Sequence, residues 1–113
     1  MKIPTSVPEK GFYYHYKHDP EGSVENYAYE VLSVGFHTEE DSHFVNYLPI
    51  YKAKVYEASV QLGIMCVDTR PLEMWMGEVE KDGKTFKRFT KITDPEIISK
   101  LQKIKEEMYR EFM

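Results

Sequence analysis

Strand-like alternation of apolar and polar positions runs through residues 11–92, and a helical repeat takes over after residue 93. Gly11 opens Phe12-Tyr13-Tyr14-His15-Tyr16-Lys17, residue types that favour a strand. Phe12, Tyr14 and Tyr16 share one side and predict the core face; Tyr13, His15 and Lys17 share the other and predict a polar-aromatic surface. Asp19-Pro20-Glu21-Gly22-Ser23 is a turn by composition. Tyr27 to Phe36 predicts a second strand, with Leu32, Val34 and Phe36 on one face and Tyr27, Tyr29 and Val31 on the other. Two largely apolar faces suit a central or barrel strand. His37-Thr38-Glu39-Glu40-Asp41-Ser42 predicts the connecting loop and Phe44 to Ile50 the returning strand, with Pro49 at an edge or strand end.

Lys52 to Gln61 fits either a helical turn or a strand, with a loop or short helix preferred. Leu62 to Val67 predicts a compact apolar strand that Arg70-Pro71 ends, because the residue before a proline avoids the helical region. Leu72 to Met76 predicts one turn of helix, leading into Glu78-Val79-Glu80. Asp82-Gly83 is a strong hairpin signal, and Thr85 to Ile92 predicts the last strand. Thr93-Asp94-Pro95-Glu96 starts a helix: a capping side chain, a proline at the first position, an acid in the first turn. Ile97, Ile98, Leu101, Ile104, Met108 and Phe112 form its apolar stripe, which predicts packing on the strands or, as the alternative, a dimer or partner contact. The expected organisation is an extended arm (1–10, with Pro4 and Pro8), a β domain (11–92) and a packed helix (93–113). The expected fold class is mostly β (α+β): a small SH3-like β-barrel of about five or six strands with a C-terminal amphipathic α-helix.

Composition narrows the class. A chain of 113 residues suits one domain, and its 42% hydrophobic and 30% charged residues exclude a disordered chain. A single cysteine, Cys66, excludes an internal disulfide framework and a Cys-rich zinc site. The longest apolar stretch, Ile64 to Val67, is too short to cross a bilayer, and no apolar run follows the start of the chain as in a signal peptide. A cytoplasmic location without membrane contact is the expectation. The net charge of −4 argues against coating duplex nucleic acid by bulk electrostatics. The charge is uneven, however: −5 over residues 1–50, +2 over 51–93 and −1 over 94–113. Lys81, Lys84, Lys87, Arg88 and Lys91 gather in the middle segment, either as lysines guarding strand edges or as an anion-binding patch.

Catalytic signals are sparse. Cys66 stands between Met65 and Val67 and reads as a buried thiol, and no serine occupies a nucleophile-elbow context. Neither Gly-x-Gly-x-x-Gly nor a Walker sequence occurs. Among the histidines, His15 and His18 would lie on opposite strand faces. His43 could join Glu39, Glu40 and Asp41 around a cation, yet no specific ligand spacing occurs, so neither a metal nor a cofactor is expected. Binding has more support. Tyr13, His15 and Lys17 alternate along one strand, while His37 and Arg70 stand at strand ends. Rings stack planar ligands and cations neutralise phosphate, the combination that also holds single-stranded nucleic acid.

The ordered set Gly11-Phe12-Tyr13-Tyr14-His15-Tyr16-Lys17, Tyr29–Leu32, His37-Thr38-Glu39, Val45-Asn46-Tyr47 with Tyr51, Arg70-Pro71-Leu72-Glu73-Met74-Trp75 and Asp82-Gly83 with Arg88-Phe89 resembles the Domain of Unknown Function 1653 family. The resemblance covers residues 11–89. It implies a small, compact, mostly β domain of bacterial or phage type and brings no established activity with it. Carried over by position, the family's polar set falls on His15, Lys17, His37, Thr38, Glu39, Arg70 and Glu73. Two segments depart from the family's pattern: His18 to Asn26 is a longer acidic insertion, and Lys52–Asp68 is a longer connection.

The leading expectation is therefore a non-enzymatic binding module for a nucleotide-like ligand or short single-stranded nucleic acid. Tyr13 or Trp75 would stack a ring, Lys17, Arg70 and Arg88 would meet phosphate, and His15 or His37 would hydrogen-bond. The second is an interaction module using the C-terminal helix, as monomer or homodimer. The third is a hydrolase with His37 and Glu39 or His15 as base and Arg70 stabilising transition-state charge. All depend on His15, Lys17, His37 and Arg70 meeting in one place.

Overall fold

A computed structural model describes residues 1–113. Its elements are β1 (Gly11–His15), β2 (Ala28–His37), β3 (Ser42–Pro49), α1 (Lys54–Leu62), β4 (Asp68–Pro71), α2 (Leu72–Met76), β5 (Glu78–Lys81), β6 (Lys84–Lys87), β7 (Phe89–Lys91) and α3 (Pro95–Tyr109), ending in a 3-10 turn at Arg110–Phe112. The fold is α+β and rich in strand. Five strands form one antiparallel sheet in the order β4-β3-β2-β1-β7, and β5 and β6 pair separately as a hairpin. The sheet curls enough to bring Tyr47 of β3 within 6.2 Å of Phe89 of β7. It does not close, since β4 and β7 remain its edges, so the molecule is a half-barrel.

Both faces of this sheet are covered, which corrects the expected division of β1 into core and surface. Phe12 is buried on one face with Ala28, Ile50, Ile92 and Leu101. Tyr13 is buried on the other with Tyr29, Val31, Val45, Tyr47, Trp75 and Phe89. The faces of β2 need a second correction. Pairing with β3 slips between Val31 and Ser33, leaving Leu32 as an extra residue. Val31 stands opposite Tyr47, Val34 opposite Val45 and Phe36 opposite His43, so the bulge returns Val34 and Phe36 to the Tyr29–Val31 face.

Local signals explain the helices. Asp94 caps α3 by accepting from the Glu96 N–H at 2.9 Å, and Pro95 occupies the first turn. The Ile97, Ile98, Leu101 and Ile104 stripe packs on the Phe12 face. Lys105 reaches Glu30 of β2 at 2.7 Å, and Tyr109 donates its hydroxyl hydrogen to the Pro49 carbonyl oxygen at 2.7 Å. The undecided Lys52–Gln61 stretch is helical from Lys54 onward, with Ala53 extended at the N-cap. The expected strand at Leu62–Val67 is instead the end of α1 and a loop: Gly63 adopts φ 70° and its N–H donates to the Ser59 carbonyl, stopping the helix. Buried Ser59 holds that loop, its hydroxyl oxygen accepting from the Cys66 N–H at 2.8 Å. Leu62 and Ile64 are exposed, and Cys66 is half-buried rather than a core thiol.

Asp82 and Gly83, at φ 52° and 73°, make the tight turn between β5 and β6. The expected last strand is interrupted at Arg88, whose N–H donates to the Gly77 carbonyl while its own carbonyl accepts from Tyr16 N–H. The chain thus leaves the hairpin and joins β1. No helix is long and apolar enough to cross a membrane.

Candidate ligand-binding site

Where β1 ends, His15 stands opposite Phe89 of β7, with its ring edge-on to Phe89 at 5.1 Å. Tyr16 lies 4.4 Å away and Tyr27 stacks at 5.6 Å. The chain turns here, and the Lys17 N–H donates to His15 Nδ1 at 3.2 Å. With Nδ1 accepting, the neutral ring carries its hydrogen on Nε2. Burial, reinforced by the positive charges of Arg70, Lys17 and Arg88, pushes the imidazole pKa down to about 4. His15 is therefore neutral at pH 7 and offers an Nε2–H that no protein group accepts.

Arg70 reaches this place from the opposite edge of the sheet. It lies opposite Val45 on β4, so it faces the concave side, and its guanidinium sits over the Phe89 ring at 5.3 Å. Its Nε donates to the Tyr47 hydroxyl at 3.4 Å. Arg88 is anchored by Nε donating to the Met74 carbonyl at 3.0 Å, and Lys17 is exposed with Nζ 6.0 Å from the Tyr16 ring. Asp68, two residues before Arg70, faces the same side opposite Tyr47. Burial raises its pKa and Arg70 opposes the rise. The hydroxyls of Tyr29 and Tyr51 are hydrogen-bonded to each other; burial holds Tyr29 well above the usual phenol range and raises Tyr51 against the lowering effect of that bond.

The acidic insertion builds one wall. Asn26 ties it together, its Oδ1 accepting from the Asp19 N–H and its Nδ2 donating to the carbonyls of Asp19 and Ser23. His18 stacks on Tyr14 at 3.5 Å and hydrogen-bonds the Asn26 carbonyl. The loop delivers Tyr27 at φ 52°, a conformation a bulky side chain rarely adopts. Tyr27 and Tyr51 then flank a cleft of about 330 Å³ lined also by Ser23, Glu25 and Asn26. A second cleft of similar size holds Tyr16, Lys17, Lys81, Lys84 and Phe86.

Of the residues singled out from sequence, His15 and Arg70 meet at the Phe89 ring, while Lys17 stands in the cleft beside Tyr16 and Arg88 is tied to Met74, both close enough for their charges to act on His15. Tyr13 and Trp75 are adjacent and largely buried in the core, Trp75 stacked on Phe89 at 3.6 Å, and both line a separate cleft of about 270 Å³ with Lys87 and Lys91 rather than the His15 site. His37, Thr38 and Glu39 lie at the far turn, about 30 Å along β2 from Tyr27 at 3.3 Å per residue. There His37 Nδ1 accepts from the Glu40 N–H. Glu73 lines a separate cleft of about 550 Å³ between the N-terminal arm and α2. No three of the His, Cys, Asp and Glu side chains are placed to hold a metal ion. Sequence reasoning missed Tyr16, Tyr27, Tyr51 and Asp68 as site residues. Only the positive φ of Tyr27, invisible in sequence, and the acidic insertion before it mark the place.

A solved structure of a DUF1653 protein from Bordetella bronchiseptica is similar in fold, with a TM-score of 0.53 and 24% identity over 76% of this chain and 92% of that one. No curated protein matches the sequence. The family model described as Protein of unknown function (DUF1653) matches residues 11–91, a span that includes His15, Asp68, Arg70 and Arg88, and the chain belongs to that family.

Proposed function

We propose that the protein is a non-enzymatic binding module for an anionic, ring-bearing ligand of nucleotide type. The observation that carries this reading is the meeting of His15 and the Arg70 guanidinium at the Phe89 ring, with Lys17 following in the chain and Tyr16 and the exposed ring of Tyr27 alongside. Phosphate oxygens would meet the guanidinium and ammonium groups, His15 would donate from Nε2, and a planar ring would stack on tyrosine. A hydrolase pairing His37 with His15 has little support, because His37 lies at the far turn of β2 from the Tyr27 end where His15 stands. Nor does the α3 stripe favour a partner contact, since Leu101 is fully buried against the protein's own sheet.

Thermal unfolding with the four common nucleoside monophosphates tests the reading. A ligand at a hundred times its Kd adds about 2.7 kcal/mol of stability, a readily measured rise in midpoint. That rise should shrink in Lys17→Gln. Unchanged midpoints at millimolar concentrations of all four would overturn the proposal.

A further inference from the structure

We propose that the cleft between Tyr27 and Tyr51 selects guanine as the ring of the bound nucleotide, with the Glu25 carboxylate reading its edge. This rests on the nucleotide reading above and specifies its base. The rings of Tyr27 and Tyr51 are 6.5 Å apart and tilted by 53°, forming an open aromatic mouth. Tyr27 belongs to both halves of the site, lying 5.6 Å from His15 on one side and facing Tyr51 across the cleft on the other.

The chemistry of the cleft limits which ring it can read. No lysine or arginine lines it. Asn26 is spent, both ends of its amide being hydrogen-bonded within the insertion. Glu25 remains: its carboxylate has no hydrogen-bond or ion-pair partner and is half-buried at the wall. An ionised carboxylate only accepts hydrogen bonds, and its two oxygens match two neighbouring donors. Guanine presents such a pair, N1–H and the N2 amino group. Adenine and cytosine set one amino donor beside an accepting ring nitrogen, which a carboxylate repels, and uracil flanks one donor with two carbonyls. The tied loop and the strained Tyr27 hold the wall in place before a ligand arrives.

Calorimetric titration of the intact protein with GMP, AMP, CMP, UMP and ribose 5-phosphate tests this, alongside Glu25→Gln. A well-formed bidentate contact discriminates by about fivefold or more, so GMP should bind at least that much more tightly than AMP. Glu25→Gln should abolish the preference, weakening GMP binding and strengthening AMP binding, because the amide replaces a repelling oxygen with a donor for the adenine ring nitrogen. Equal affinity for the four nucleotides, or a guanine preference that survives Glu25→Gln, overturns the guanine assignment and leaves the nucleotide site standing. Failure of all five compounds to bind overturns both.

Discussion

Trp75 and Phe89 lie face to face, 3.6 Å between ring centroids and 6° from parallel. The pair joins the single-turn helix α2 to the edge strand β7, and Phe89 also lies beneath Arg70 and beside His15. The core and the candidate site thus share one ring. Truncating either aromatic should cost about 3–5 kcal/mol, because the cavity cannot close between sheet and helix. In a double-mutant cycle from urea midpoints, Trp75→Ala and Phe89→Ala should show about 0.5–1.5 kcal/mol of coupling. Strict additivity would mean that the stacked geometry contributes nothing beyond burial.

Tyr109 tests the docking of α3. Tyr109→Phe keeps the ring against Tyr56 but removes the donor from the Pro49 carbonyl. We expect a loss of about 1–3 kcal/mol, read from thermal or urea unfolding. An unchanged midpoint would show that this contact is dispensable.

The His15 pKa makes stability depend on pH. Its folded value, about 4, lies below the usual 6.5, so the unfolded chain binds more protons between these values. Stability from this group is complete above pH 6.5 and is lost as pH falls towards 4. Because the ring is only half-buried, screening limits the effect to about 1 kcal/mol. The difference in urea midpoint between pH 7 and pH 4.5 should be smaller in His15→Gln than in the parent chain. Equal slopes would remove the proposed crowding of charge.

Asp68 has the opposite sign. Its raised pKa means that burial of the carboxylate costs more than Arg70 returns, so the folded protein holds the proton to higher pH than the unfolded chain. Asp68→Asn should raise the thermal midpoint at pH 7 and have less effect at pH 4, where both states are partly protonated. A lower midpoint at pH 7 would contradict this assignment.

Much of the fold was legible. The Asp94-Pro95 start of α3, the Asp82-Gly83 turn and the single turn after Pro71 all follow from torsional preferences and capping groups within a few residues. The site was legible only in part. His15, Lys17 and Arg70 carried readable chemistry, but Tyr27 looked like an ordinary strand tyrosine, Tyr51 stood out only as part of the family's pattern, and the burial of Tyr13 and Trp75 could not be read.

Sequence alone determined which segments are strand, turn and helix wherever the cause was local, and it placed cations and rings in the right stretches of chain. Tertiary structure decided which faces are covered. One extra residue at Leu32 reverses the faces of β2, α3 and α2 cover opposite sides of the sheet, and its curl carries Arg70 to Phe89 while the length of β2 keeps His37 away. The reason is that a strand's alternation repeats every two residues: it defines two faces but does not say what each will meet, and a single-residue slip exchanges them.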